Sequence, residues 1–174
     1  MFEKDKEILL VDLRDSPLKK IKKFEGHKKP YLHRAFSVYL INDNKILIQK
    51  RSKKKYHSKG LWANACCSHP ITENIIKEAN QRLSEELGIT EKIEMKELFN
   101  FIYFAQLKNV YEYEFDHVLL GEYGGEINPN EDEVEDYKWI EISELEKELV
   151  KNPKIFAPWF LISAPIFLDK IKNS

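Results

Sequence analysis

The sequence predicts an α/β fold in a single domain that includes all of residues 1–174. Apolar runs typical of strands are followed, in the middle of the chain and at its C-terminus, by helical patterns. A chain of this length can bury one hydrophobic core. It has no internal repeat, low-complexity segment or sign of a second domain. We therefore expect the strands and helices to pack together in one unit.

The composition is typical of a soluble globular protein, with 43% hydrophobic residues and a mean hydropathy of -0.51. We find no apolar run long enough to span a membrane and no signal peptide. The two cysteines, Cys66 and Cys67, are adjacent, which makes a poor disulfide framework. We expect a cytoplasmic protein in a reducing compartment, with no membrane partner and with a thiol available for chemistry.

Positive charge is concentrated in one part of the chain. Fourteen of the 28 Lys and Arg residues lie between Lys19 and Lys59, together with only two of the 29 acidic residues, Glu25 and Asp43. Such a segment can bind nucleic acid or a small, highly charged phosphate ester. The chain has no nucleic-acid-binding motif that we recognise, so we favour the small anion and expect no nucleic-acid partner.

The N-terminal segment predicts a strand followed by a basic loop. Residues 8–13 form a short apolar run, and Asp15-Ser16-Pro17 is a turn signal. Residues 19–29 are rich in lysine, and we interpret most of them as a solvated loop.

A β-hairpin and a second basic loop are predicted next. Residues 33–41 and 46–51 flank Asn42-Asp43-Asn44, the pattern of a hairpin. Residues 51–59 then form a basic loop that leads into the segment with Cys67 and His69, and we place its His57 on the surface.

The central helix is predicted by an apolar stripe with spacings of three and four. The stripe consists of Ile75, Ile76, Ala79, Leu83 and Leu87. Thr72 is the expected N-cap, and Gly88 the residue that ends the helix. Glu86 lies at the border between the apolar stripe and a polar arc, which would place its carboxylate against the packed face. The alternative is a surface acid that pairs with Arg82, four residues earlier.

Two consecutive strands are predicted after this helix. In the first, residues 98–105, Tyr103 is by default a core residue with a satisfied hydroxyl. In the second, residues 110–120, alternation places Glu112, Glu114 and Asp116 on one face and aromatic residues on the other. Three carboxylates on one face repel one another unless the face is solvated or a metal cation lies between them.

Three histidines, His27, His33 and His69, strengthen the metal interpretation, although a lone histidine is more often structural. Imidazole nitrogen is a good ligand for zinc, manganese or iron. Their spacing is not that of a zinc finger.

The C-terminal segment predicts one more strand and two helices. The strand is residues 137–142, and a capping box at Ser143 begins a short helix that Asn152-Pro153 ends. An aromatic helix follows, which Pro165 should bend or interrupt. Trp159 on this helix is by default a core residue.

The central segment resembles a degenerate Nudix box. The residues that carry this resemblance are Cys67, Glu73, Leu83, Glu85, Glu86, Gly88 and Ile89. A regular box has Gly at the position of Cys67 and Arg-Glu at Gln81-Arg82. These departures, with Trp62-Ala63-Asn64 and Cys67-Ser68-His69-Pro70, are similar to the type 1 isopentenyl-diphosphate isomerases. Phe-Ala-Pro-Trp at 156–159 is similar to their Phe-Ser-Pro-Trp, and the resemblance extends from about residue 8 to residue 159.

This resemblance implies a Nudix-like mixed sheet sandwiched between helices. It also implies an enzyme of isoprenoid biosynthesis that converts isopentenyl diphosphate into dimethylallyl diphosphate through a tertiary carbocation. Glu114, helped by Tyr103, would protonate the alkene, and Cys67 would handle the proton on the opposite side. Trp159 would lie over the hydrocarbon.

The resemblance further implies two metal sites and a set of phosphate contacts. Zinc or manganese would be held by His27, His33, His69, Glu112 and Glu114. Magnesium would join the diphosphate to Glu86 and the backbone carbonyl of Cys67. The remaining phosphate charge would be neutralised by Lys23, Arg51, Lys55 and Arg82.

Two other functions remain compatible with the residues. A Nudix diphosphate hydrolase would share the fold and magnesium but would need an activated water. A metal-stabilised phospholigand-binding module would not need Cys67 at all. The oligomeric state and the roles of Cys66, His57 and Asp116 stay open.

Overall fold

The computed structural model describes residues 6–55, 57–108 and 110–173. In these ranges the strands are β1 Glu7–Val11, β2 Pro17–Lys22, β3 His33–Asn42, β4 Lys45–Arg51, β5 Trp62–Asn64, β6 Cys66–Ser68, β7 Met95–Leu107, β8 Val110–Glu122 and β9 Val134–Glu141. The helices are α1 Lys23–Gly26, α2 Ile75–Leu87, α3 Ile142–Lys151 and α4 Pro158–Lys172, with a 3-10 turn at Pro153–Ile155. The α/β prediction is confirmed.

The sheet is mixed, and β3 is its organising strand. Along one edge, β3 runs parallel to β8 over nine consecutive pairs, from His33–Glu114 to Ile41–Glu122. Along its other edge it pairs antiparallel with three elements in succession: β1 at its start, β6 in its middle and β4 at its end. This arrangement brings β6 and β8 to the two sides of one strand.

Alternation along β3 divides the core into two layers. Phe36, Val38 and Leu40 point to one face of the sheet, where they pack in one cluster with Leu83 and Leu87 of α2. Full burial of each leucine stabilises the fold by about 2 kcal/mol. On the opposite face, buried residues of β3, β4, β7 and β8 form a second cluster with α3 and α4. The sheet therefore lies between helices, as predicted.

Helix α2 begins and ends at residues with clear capping roles. Its N-cap is Asn74, whose side chain accepts a hydrogen bond from the Lys77 amide, so the prediction of Thr72 is wrong. At the other end Gly88 has φ 67°, in the left-handed region, as predicted. A methyl group on Gly88 would lie 2.5 Å from the carbonyl oxygen of Asn128. Glycine is therefore needed both for its φ angle and for this close approach.

Some of the predicted loops are regular structure. Residues 19–22, predicted as part of a basic loop, belong to β2 because they pair with β1 in a hairpin. Cys67, predicted on a loop, lies on β6, where pairing with β3 fixes its backbone.

The C-terminal helices also differ from prediction. Helix α3 starts at Ile142 after Glu141, with no side-chain cap, so the capping box at Ser143 is wrong. Helix α4 begins with Pro158 and includes Pro165, so an interruption there is wrong, while the bend stays a prediction.

Among the described residues, no helix combines the length and the apolar character that crossing a membrane would require.

Candidate active site and metal centre

One cavity collects most of the predicted site residues. Its lining includes Lys23, Arg51, Lys55, Cys67, His69, Arg82, Tyr103, Glu112, Glu114 and Trp159. Cys67 reaches it from β6 and Glu114 from β8, and both strands are paired to β3. The α4 side of the sheet closes the cavity with Trp159, which is 4% exposed.

Three histidines and two glutamates form a compact, buried ligand set beside this cavity. The set is His27, His33, His69, Glu112 and Glu114, and one ligand atom from each lies within 4.8 Å of all the others. The three imidazole rings have centroids 4.8–5.3 Å apart. Such a mixture of imidazole and carboxylate groups suits a divalent metal. The solvated-face interpretation of the β8 acids is therefore wrong.

Backbone carbonyls orient two of these histidines. The Nδ1 atom of His27 lies 2.6 Å from the Lys23 carbonyl oxygen, and that of His33 lies 2.8 Å from the Tyr31 carbonyl oxygen. If Nδ1–H donates to these oxygens, each Nε2 presents a lone pair to the centre of the cluster.

Two buried polar atoms without hydrogen-bond partners among the residues described are a second reason to expect a metal ion in this cluster. Within the described part of the chain, the buried atoms His33 Nε2 and Glu112 Oε1 have no hydrogen-bond partner. Buried polar atoms left in this way are costly, and a bound cation would satisfy both.

The two glutamates of the set have opposite pKa shifts. Burial, together with the charge of Glu114, raises the pKa of Glu112. Burial would raise the pKa of Glu114 as well, but its close contacts with His33 and His69 outweigh it and hold that pKa well below its usual range. The His69 Nε2 atom lies 2.9 Å from Glu114 Oε1.

Cys67 faces a cationic and aromatic wall. Burial raises the pKa of its thiol to about 12, although Arg51 opposes this shift. A terminal nitrogen of Arg51, Nη1, lies 4.0 Å from the sulfur, and the guanidinium stacks 5.1 Å from the Trp159 ring centroid. Trp159 is fixed in turn because its indole N–H donates to the Asn64 side chain over 3.1 Å. Asn64 of the Trp62-Ala63-Asn64 motif thus orients the aromatic wall.

Tyr103 lines the cavity together with Glu114, and Asp116 lies two residues further along β8. Tyr103 of β7 pairs with Glu114, and its buried hydroxyl has no partner among the described residues. Asp116 accepts a 2.8 Å hydrogen bond from Ser37, the residue opposite Cys67 in the ladder. Burial and the charge of Glu114 raise the pKa of Asp116 well above its usual range.

The predicted phosphate contacts Lys23, Arg51, Lys55 and Arg82 all line the cavity. Arg82 is ion-paired with Glu85 and Glu86 on its own helix. Glu86 is 4% exposed and also accepts a 2.9 Å hydrogen bond from Gln49 of β4. Both predictions for Glu86 therefore hold in part, because it pairs with Arg82 yet is buried rather than on the surface.

His57 is not a surface residue, and that prediction is wrong. Its side chain is 9% exposed and lines the cavity, with Nε2 3.2 Å from Glu112 Oε1 and its ring 6.1 Å from that of Trp159. Burial and the charge of Arg51 lower the pKa of His57 to about 2. The loop carrying His57 folds back over the cavity because the Gly60 amide donates to the Arg51 carbonyl.

Sequence reasoning did not find Ser37, Gln49 or Glu133 as site residues. Ser37 and Gln49 interrupt the apolar pattern of β3 and β4 as buried polar residues, which was an available signal. Glu133 lies in an acidic connector, and nothing local distinguishes it from its neighbours.

Comparisons with known proteins identify relatives of this chain. A family model for the NUDIX domain matches residues 31–160. The chain is 42% identical over 159 residues to isopentenyl-diphosphate Delta-isomerase 2 of Photorhabdus laumondii, covering 90% of this chain and 89% of that protein. It is 38% identical over 160 residues to the isopentenyl-diphosphate Delta-isomerase of Pectobacterium atrosepticum, covering 90% and 88%.

Solved structures share the fold at low identity. A crystal structure of DR0079 from Deinococcus radiodurans matches with a TM-score of 0.68 and 16% identity, covering 84% of this chain and 90% of that one. A MutT protein from Methanosarcina mazei matches with a TM-score of 0.65 and 16% identity, covering 84% and 99%.

Proposed function

The chain belongs to the NUDIX family and, within it, to the isopentenyl-diphosphate Delta-isomerases, and we propose that its cavity isomerises isopentenyl diphosphate to dimethylallyl diphosphate. The reaction moves one carbon–carbon double bond, with no net gain or loss of electrons. A proton is added to the terminal methylene carbon of the alkene, and another is removed from the carbon two positions away. The observation that carries this proposal is one cavity that holds both a thiol and a buried carboxylate.

Glu114 and Cys67 are the proposed proton-transfer residues. Glu114, with Tyr103 beside it in the sheet, adds a proton to the alkene, and Cys67 accepts the proton that leaves. Burial raises the pKa of the Cys67 thiol, while the contacts with His33 and His69 lower that of Glu114.

Trp159 is the proposed stabiliser of the tertiary carbocation that connects the two steps. Its ring is buried in the cavity wall and already stacks on the Arg51 guanidinium, so this face can accommodate positive charge. A desolvated cation–aromatic contact contributes about 2 kcal/mol or more. The same burial excludes water, which would otherwise capture the cation.

The buried cluster beside the cavity is the proposed site of one Mn²⁺ or Zn²⁺ ion. The ligands would be His27, His33, His69, Glu112 and Glu114. When bound, such an ion would supply fixed positive charge that tunes the acidity of Glu114. The side chains themselves hold Glu114 toward the cavity by contacts with His33 and His69.

The basic end of the cavity is the proposed site of the diphosphate. Arg51 can make a two-pronged contact with phosphate, and Lys23, Lys55 and Arg82 supply further positive charge. Glu86 and the backbone carbonyl of Cys67 would hold the Mg²⁺ ion that accompanies the diphosphate.

Incubation with isopentenyl diphosphate and Mg²⁺ tests the proposal. Proton NMR should show the methyl signals of dimethylallyl diphosphate, and a phosphate assay on the same sample should stay at background. Released phosphate without rearranged product would instead identify a hydrolase. Binding without any product would identify a phospholigand-binding module.

A further inference from the structure

Glu133, in the turn before β9, contacts two side chains that line the part of the cavity proposed for the diphosphate. Its carboxylate forms an ion pair with Lys55, whose side chain is 9% exposed, and lies 3.5 Å from an Arg82 terminal nitrogen, Nη2. Lys55 and Arg82 are both among the proposed diphosphate contacts. The position of Glu133 is fixed by its backbone, because its carbonyl accepts from the Ser52 amide and its amide donates to the Asn130 carbonyl.

Glu133 and Glu86 meet at one guanidinium group. The same Nη2 atom of Arg82 contacts Glu86 Oε1 and Glu133 Oε2, although the two acids are 47 positions apart in the chain. Burial lowers the pKa of Lys55, but the charges of Glu86 and Glu133 outweigh it and raise that pKa. Two carboxylates and two cations are therefore packed against one another at this end of the cavity.

Two carboxylates would repel a diphosphate that binds without a metal cation. One negative charge about 6 Å from a phosphate charge weakens binding by on the order of a hundredfold, at an effective dielectric constant of about 20. A cation placed between carboxylate and phosphate converts this repulsion into attraction. Magnesium binds in this way, through one or two carboxylates together with phosphate oxygens.

A second observation indicates that this end of the cavity is built for a ligand. Gln49 is 2% exposed, and its amide nitrogen donates to Glu86 Oε2. Its carbonyl oxygen, Oε1, is buried and has no hydrogen-bond partner within the described ranges. A hydrated cation beside Glu86 would offer water hydrogens to that oxygen.

We propose that Glu133 is a second protein carboxylate for the divalent cation that accompanies the diphosphate, acting with Glu86. In the structure, Lys55 pairs with Glu133, and Arg82 pairs with both Glu86 and Glu133. When the cation and the diphosphate enter together, the carboxylates turn to the cation and the two basic side chains turn to phosphate. This inference rests on the proposed function, because it concerns the same phosphate site.

Calorimetry with inorganic pyrophosphate tests this role, because Glu133→Gln should change the affinity in opposite directions with and without Mg²⁺. Wild-type protein and Glu133→Gln are titrated with and without added Mg²⁺. With Mg²⁺ the variant should bind at least about tenfold more weakly, because a cation ligand is lost. Without Mg²⁺ it should bind more tightly, because repulsion is lost. A merely structural residue would weaken binding in both conditions, and a merely repulsive one would strengthen it in both, so either result would overturn the proposal.

Glu135→Gln is the matched control, since Glu135 lies two residues further on and pairs with surface lysines, Lys50 at 3.0 Å and Lys53 at 3.5 Å. Glu135→Gln should bind pyrophosphate like wild type with and without Mg²⁺. If it too changed the affinity in opposite directions in the two conditions, the assignment of Glu133 would be overturned. Should Glu133→Gln not fold, Glu133→Asp replaces it. This variant keeps the charge on a shorter side chain, so only binding with Mg²⁺ should weaken, and unchanged binding would count against the role.

The isomerisation assay separates this inference from the proposed function. Wild-type protein that binds magnesium pyrophosphate but forms no dimethylallyl product would overturn the function, while a sign reversal in Glu133→Gln would still support the metal role. If the wild-type protein isomerises the substrate but Glu133→Gln changes the affinity in the same direction with and without Mg²⁺, only the Glu133 assignment is overturned.

Discussion

Cys67 and Glu114 approach one cavity from strands that flank β3 on opposite sides, with Cys67 paired to Ser37 and Glu114 paired to His33. Neighbouring strands are about 4.8 Å apart, and Ser37 lies roughly 13 Å along β3 from His33, so the backbones of Cys67 and Glu114 are separated by roughly 16 Å. Hydrogen-bonded ladders hold both backbones, and the side chains extend from them into the cavity. The separation of the proton-transfer groups is therefore set by the sheet rather than by a mobile loop.

Isotope exchange should separate the two proton-transfer roles. In D₂O, Cys67→Ala should lose isomerisation by about 10²–10⁴-fold but still exchange hydrogen at the terminal methylene carbon, because Glu114 can add and remove a proton there. Glu114→Gln should lose both reactions. Mass spectrometry of recovered substrate measures the exchange.

Cys66→Ala is the control for this experiment. Cys66 is fully buried in the α2 layer, on the opposite face from Cys67, and its variant should turn over like wild type. Wild-type-like turnover by Cys67→Ala would refute the role of the thiol. Exchange in Glu114→Gln but not in Cys67→Ala would reverse the two roles.

Arg51→Lys should weaken substrate binding although the charge is retained. Lysine cannot reproduce a two-pronged phosphate contact or the stack on Trp159, so KM should rise by about tenfold, or ~1.4 kcal/mol. Steady-state kinetics measures the effect, and Arg14→Lys, at an exposed position, provides the comparison. An equal KM for the two variants would show that Arg51 acts only as a point charge.

Removal of the metal from the buried cluster should destabilise the protein. A metal present at about a thousandfold above its Kd stabilises by ~4 kcal/mol, so a chelator should lower Tm by about 10 °C. His33→Gln should have the same effect and should reduce the metal content measured by mass spectrometry. His117→Gln should keep its metal, because His117 lies outside the cluster and pairs with Asp15 over 3.0 Å. Unchanged Tm after complete metal removal would argue against a structural contribution.

Two glycines with the same φ angle should respond differently to alanine. Gly88 and Gly60 both have φ 67°, which costs an alanine about 1 kcal/mol. A methyl group at Gly88 would also meet the Asn128 carbonyl at 2.5 Å, whereas nothing lies within 4 Å at Gly60. Gly88→Ala should therefore lose about 2–3 kcal/mol of unfolding free energy in urea, and Gly60→Ala about 1. Equal losses would show that the turn relaxes freely.

Local periodicity predicted the parts of the fold in which neighbouring residues determine structure. The α2 stripe, the β3–β4 hairpin and the alternating acids of β8 all belong to this class. Strand β2 was missed because its exposed, lysine-rich sequence is held in place by pairing with β1. Propensity alone does not contain that pairing.

In the site, too, residues that belong to a local pattern or motif were predicted, and residues brought together only by folding were missed. The metal-binding set was predicted from the β8 acids and the histidines, together with the family motif. Glu133 was missed because its partners, Lys55 and Arg82, are 78 and 51 positions away and meet it only after folding. His57 was placed on the surface because a basic loop is usually solvated, whereas here the loop folds back over the cavity.

The alternation of β6 has a consequence for oxidation. Adjacent residues of an extended strand point to opposite faces, so Cys66 enters one core layer and Cys67 packs against the other. Side chains directed apart cannot close a disulfide without backbone movement. The raised pKa of the Cys67 thiol makes its reaction with peroxide slow. Where oxidation occurs, it should produce a sulfenic acid rather than a protective bond with the neighbouring cysteine, and recovery of activity would depend on an external thiol.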